Sequence, residues 1–309
     1  MPTIDLSSAP TVPSGTLEAL PRRVTLTLPE LLLLAEKAGG APLPFDPPVR
    51  DGADPADSSA LQSRLGRTPH NPVGGPADDE AYLAALASLN DPVESLTRRG
   101  LVVDGVADNG VAGALGLLAV PEIAVVLDVA VDQIRGRGWH RQRGDAVATL
   151  ATTDGLSFEL AWFDSSHWPG ELARVATLPE DVVLEPSAAP ELAVLPYELL
   201  DTGAEAVRTG RSDLLGALVA ETPGVVDEAA TTELLGALVA ETHGRLRAMV
   251  ADITADGVVV GVVSWVLLAD GWRELRAHQA DGARLVEVRR VQPADLSLTL
   301  GPVLAEVTS

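Results

Sequence analysis

Hydrophobic and polar positions along this chain change period several times, and the changes mark out its elements. Val24 to Leu28 alternates as a strand does, and Pro29 suits the first turn of a helix that runs on through "LLLLAEK" to Gly39–Gly40. The next stretch, from Ala41 to Asp79, is rich in Pro, Gly, Asp and Ser and reads as a long mobile loop. Helical patterns resume at "EAYLAALASL", at "PVESLTRR" before Gly100, and at "GVAGALGLLA" before Pro121. "EIAVVLDVAVD", "DAVATLATT" and "LSFELAWFD" then read as strands, the last two joined at Asp154–Gly155. With "ELARVATL" after the turn "SSHWPG", this block reads as an antiparallel meander.

The pattern then recurs. A helical stretch is expected from about Leu192 to Thr242, followed by a second meander: "LRAMVADI", "VVVGVVSWVLLA", "WRELRAHQ" and "ARLVEVRRV", with turns at "TADG", Asp270–Gly271 and Asp281–Gly282. Each meander leads into a similar phrase, "LPEDVVLEPSAAPEL" after the first and "QPADLSLTLGPVLAEV" after the second. The expected fold class is therefore α+β: two topologically related halves, antiparallel meanders flanked by helical bundles, able to share one sheet. The expected organisation is a disordered N-terminus over 1–22, a first half over 23–190 with the loop at 41–79, and a second half over 191–309. Two units fall short of the three or more that a solenoid needs.

Within the second half, "LLGALVAETPG" from Leu214 returns as "LLGALVAETHG" from Leu234. The apolar residues Leu214, Leu215, Leu218 and Val219, like Leu234, Leu235, Leu238 and Val239, form one helical stripe. Asp213 and Thr232–Glu233 are read as helix starts, and Pro223–Gly224 and His243–Gly244 as helix stops. The segment 213–242 is thus expected to hold a pair of core-facing helices packed as a hairpin. Their faces are also candidates for a groove that receives a partner helix.

Composition narrows the function classes. The 309 residues are 46% hydrophobic, enough for a core, yet only 3% aromatic, so Leu, Val and Ala must fill it. The net charge of −22 argues against a phosphate-backbone binder or an anionic-membrane binder and favours solubility through self-repulsion. With no cysteine, disulfides, thiolate metal sites and cysteine nucleophiles are excluded. The N-terminal "MPTIDLSSAPTVPSG" lacks the basic start and apolar core of a secretory signal, and a cytoplasmic location is expected.

Candidate chemistry is sparse. Asp164, Ser165, Ser166 and His167 adjoin one another, but a hydrolase needs such groups to converge from separate segments, and no G-x-S-x-G elbow is present. The five histidines have no metal-ligand spacing, and phosphate-binding Gly-rich loops are absent, so no cofactor is expected. One stretch stands out. "QIRGRGWHRQRG" concentrates Arg135, Arg137, Arg141 and Arg143 around Trp139 in an otherwise acidic chain. Charge runs of this kind are most often solvated connections between strands. The sharper reading is a basic hairpin tip that contacts a partner, because Arg and Trp dominate binding hot spots.

Several segments resemble the EspG family, secretion-associated proteins of actinobacterial type VII (ESX) systems. They are "VTLTLPELLLLAE", "LTRRGLVVDGVADNGVAGALGLLAVPEIAV" and "SWVLLADGWRELR…ARLVEVRRVQPADLSLTLGPVLAEV", which occur in the family's order over most of the chain. The resemblance implies a cytosolic chaperone without a cofactor and with a pseudo-twofold α/β fold. It also implies a partner: the apolar helical tip of a PPE-type substrate in a PE–PPE heterodimer. Contact is expected at Arg137, Trp139 and Arg141, on the second meander at Val260, Ser264 and Trp265, and on the repeated helices at Leu218 and Leu238. The alternatives are a hydrolase or ligand-binding enzyme using the sheet face around Asp164 and His167, and a scaffold or immunity-type protein with another partner. Pairing with a second copy of the chain is left open.

Overall fold

A computed structural model describes residues 20–46, 82–253 and 260–307, apart from the single positions 83, 87, 181, 224, 226 and 281. Residues 1–19 of the tail expected over 1–22, most of the 41–79 loop and the "TADG" turn lie outside the described residues. Ten strands form one antiparallel sheet in the order β1-β7-β6-β5-β4-β9-β10-β11-β12-β8. The first half supplies β1 (Arg22–Thr27), β4 (Ile123–Val131), β5 (Ile134–Arg143), β6 (Ala146–Thr152) and β7 (Ser157–Asp164). The second supplies β8 (Leu192–Pro196), β9 (Gly244–Asp252), β10 (Val260–Leu268), β11 (Gly271–Ala280) and β12 (Ala283–Arg290). A small separate ladder joins β2 (Val102–Val103) to β3 (Val106–Ala107).

The order is a palindrome about the β4–β9 ladder, and the register is symmetric as well. Ile123 lies opposite Asp252 and Val131 opposite Gly244, so Leu127–Ala248 is the centre of the ladder. One strand further out, Gly136 lies opposite Val129 in the first half, and Gly261 opposite Val250 in the second. The two glycines are therefore equivalent, as are Trp139 and Ser264, and His140 and Trp265.

Helices follow from local signals. In α1 (Leu28–Lys37), Thr27 and Glu30 cap each other reciprocally and Pro29 occupies the first turn. Burial works against the charge of Glu30, but hydrogen bonds from Ser95 and the Thr27 N–H, together with Arg99 at 3.1 Å, outweigh it and hold its carboxyl below the usual range. That ion pair fastens α1 to α2 (Pro92–Arg98), which starts on the Asp91 cap. Asp108 likewise caps α3 (Asn109–Ala119). These three helices cover the front of the first half, where Leu31, Leu34, Leu96 and Leu115 meet Leu150, Phe158 and Leu160. On the front of the second half, α5 (Tyr197–Arg208), α6 (Leu215–Glu221) and α7 (Glu228–Ala240) pack Leu199, Leu215 and Leu235 against Val286 and Val288.

The back of the sheet has a single core that runs across both halves. It is roofed by α4 (Trp168–Ala176) and α8 (Leu296–Val307), each entered through one 3-10 turn, Ser165–His167 or Pro293–Asp295. Trp168, Leu172, Leu296 and Leu300 pack there against Val125, Leu127, Leu246 and Val250.

Three sequence readings need correction. "ELARVATL" is helical, because Trp168, Glu171, Leu172 and Ala176 fall on one buried helical stripe behind Pro169. Its counterpart in the second half is therefore α8, and the phrase from Leu178 is not. The residues from Leu192 to Pro196 form edge strand β8, whose Leu195 faces the front core. Finally, α7 begins at Asp227, whose carboxylate accepts from Ala230 N, so Thr232 and Glu233 lie inside it; Asp213 sits in a 3-10 turn and pairs with Arg211.

Candidate partner-binding face

The two front bundles stand at opposite ends of the sheet, with α3 over β5–β7 and α5 over β12 and β8. Between them, on β4, β9 and β10, front-facing side chains reach solvent: Arg245 and Arg247 are exposed, and Val260 and Val262 are 53% and 47% exposed. Cross-strand pairing arranges this strip in rows. Val126, Met249 and Val262 form an apolar row, continued by Ala251 beside Val260. Two residues further along, Asp128, Arg247 and Ser264 form a polar row, followed by Ala130, Arg245 and Val266. Asp128 also holds Arg137 at 2.6 Å, which neutralises that pair locally. Arg245 and Arg247 have no ion pair among the described residues. The strip therefore grades from exposed aliphatic surface to uncompensated positive charge in a molecule of net charge −22.

The expected contact residues fall in different places. Val260 and Ser264 lie on this strip, and Arg137 at its margin. The "QIRGRGWHRQRG" stretch is no hairpin tip: it is β5, an interior strand between β4 and β6. Trp139 is consequently buried, stacked on Phe45 with ring centroids 5.2 Å apart. Arg141 is buried as well, donating to the carbonyl oxygens of Val125 and His140, and burial lowers its pKa to about 10. Trp265 points to the back and is only 1% exposed, beside Trp272. Leu218 and Leu238 are partly buried against the front core of the second half. In this structure Trp139, Arg141 and Trp265 are core residues with no surface to offer a partner. Arg245, Arg247, Met249 and Val262 also stand on the strip without having been singled out from the sequence, although "GRLRAMVAD" places the first three on one face by simple alternation.

The hydrolase constellation takes on a structural role. Asp164 accepts from Ser166 N and caps the 3-10 turn that leads into α4. Among the described residues the one buried histidine is His140, which accepts from Trp168 Nε1 at 2.9 Å. Burial, with Arg141 and Arg174 nearby, depresses its pKa to about 3, so it is a neutral acceptor at ordinary pH. Among the described residues no group of three or more His, Cys, Asp or Glu could hold a metal ion, and no helix is long and apolar enough to cross a membrane.

No family model and no curated protein matches this sequence. Among solved structures, fourteen chains match. One of these structures is the Mycobacterium tuberculosis type VII secretion system chaperone EspG5 in complex with a PE25–PPE41 dimer, with a TM-score of 0.59 at 15% identity. The match covers 92% of this chain and 96% of that one. From edge strand to edge strand, this chain has an EspG-like fold.

Proposed function

We propose that this protein is a cytoplasmic chaperone of type VII secretion that covers the apolar helical tip of a PE/PPE-like substrate, without a cofactor and without chemical turnover. The observation that carries this reading is the open front strip between two helical bundles. A helical hairpin laid there would shield Val260, Val262 and the partly buried Met249 from water, each of the two valines contributing on the order of 1 kcal/mol as its exposed half is buried. The last turn of a helix presents unpaired carbonyls and a partial negative charge, which suits Arg245 and Arg247. The acidic remainder keeps the complex soluble. The EspG5 likeness supports the reading through the shared fold and through the complex in which that chaperone was solved.

The test is co-expression with the helical-hairpin secretion substrate encoded nearby. The wild-type chain is expected to co-purify with it. The double variant Val260→Asp/Val262→Asp, altered only at half-exposed positions, is expected to stay folded and lose the complex by about tenfold or more. Retention of the substrate by the folded double variant, or failure of the wild type to capture any such substrate, would overturn the proposal.

A further inference from the structure

The pseudo-twofold exposes a place where the two halves differ. In the second half, the last turn of α8 lies on β10: a Cβ at Gly261 would overlap Val303 Cγ1 and lie 3.3 Å from Val307. In the first half, Val175 stands as far into α4 as Val303 stands into α8. But α4 ends at Ala176, because Thr177 turns extended and Pro179 disfavours helix at Leu178. Among the described residues, none takes the place of Val307. A Cβ at Gly136, the equivalent of Gly261, would meet only Thr153 at 3.8 Å. What remains is a cavity of about 430 Å³ on the back of the sheet, lined by Val129, Val131, Gly136, Val175, Leu178 and Trp272.

We infer that this cavity is a second docking site, on the face opposite the proposed substrate strip, for an apolar helical turn of a partner protein. The helix would present two aliphatic side chains four residues apart, as α8 presents Val303 and Val307 to Gly261. The same strand position that seats α8 in one half recurs in the other with no occupant among the described residues. Val129 and Val131 extend the apolar floor, and Ile134, half-exposed, stands at the rim. Thr153, Ser157 and the Arg174–Glu159 ion pair also line it, polar groups of the kind that border a helix seat.

The test uses the full chain and a synthetic peptide of residues 293–307, the sequence that fills the equivalent position. Ile134 is one of four isoleucines; Ile123 and Ile253 lie at the other end of the β4 ladder and Ile4 in the N-terminal tail. With isoleucine methyls labelled for NMR, the peptide is expected to shift Ile134 alone, saturating with a Kd of about 1 mM or tighter. Gly136→Leu, whose Cβ meets only Thr153 at 3.8 Å, places a side chain in the cavity and is expected to weaken binding about tenfold. A peptide carrying Val303→Asp and Val307→Asp is expected not to bind. Absence of an Ile134 shift at about 5 mM peptide, equal shifts in Gly136→Leu, or shifts at Ile123 or Ile253 instead would each overturn the proposal.

Discussion

At the scale of single residues, the sheet decides which side chains reach solvent. Trp139 and Arg141 carry the chemistry of a contact site, yet β5 places both in the core, while plain Arg247 and Val262 are left open to solvent. His140 shows what such burial does. Its folded pKa of about 3 lies below the unfolded value of about 6.5, so between those values the unfolded chain binds the extra proton and stability rises with pH. Acidification from pH 7 to pH 5 is therefore expected to cost about 2 kcal/mol from this group. Denaturant titration at the two pH values checks it. His140→Gln keeps an acceptor for Trp168 Nε1 and cannot titrate, so it should remove most of that difference.

Elements were legible where one face is apolar and the ends are punctuated. α1, α2 and α3 are legible through Pro29 with Gly39–Gly40, Gly100 and Pro121 at their ends, and β4, β6 and β7 as apolar strand runs, the last two joined at Asp154–Gly155. β5 escapes because glycine and arginine mimic a loop, although Arg135, Arg137, Arg141 and Arg143 are spaced in twos as on a strand face. α4 escapes because eight apolar-rich residues after three strands suggest a fourth. The repeated segments do pack against each other, but one is a seven-residue helix and the other the end of a thirteen-residue helix, because only the second has a preceding run capped by Asp227. The contrast between α4 and α8 gives a paired prediction. Gly261→Ala should destabilise the fold by about 1–3 kcal/mol, since Val303 and the helix behind it must move. Gly136→Ala should stay within about 0.5 kcal/mol of wild type. Equal effects in chemical unfolding would show that the two sites are packed alike.

For the molecule as a whole, the doubled topology was readable from the recurrence of helices and meanders, but the position of the seam was not. Which edge strands meet depends on register, and nothing in β4 or β9 alone states that they pair with each other. That seam has a consequence for cutting the chain. Separating residues 1–190 from 191–309 would expose the β4 and β9 edges and part α4 from α8 across their common core. Each fragment made alone is expected to be insoluble or self-associated, and the two co-expressed are expected to return as one soluble complex. Monomeric, independently folded fragments in sedimentation experiments would refute this.

The β4–β9 ladder is built like the interface of a symmetric dimer, with its dyad enclosed in one polypeptide. In a true homodimer any substitution appears twice, and both flanks must accept it. Here each flank varies alone, so one could shorten its helix and keep an open seat while the other stayed sealed. Joining the copies gave this protein two unlike sides.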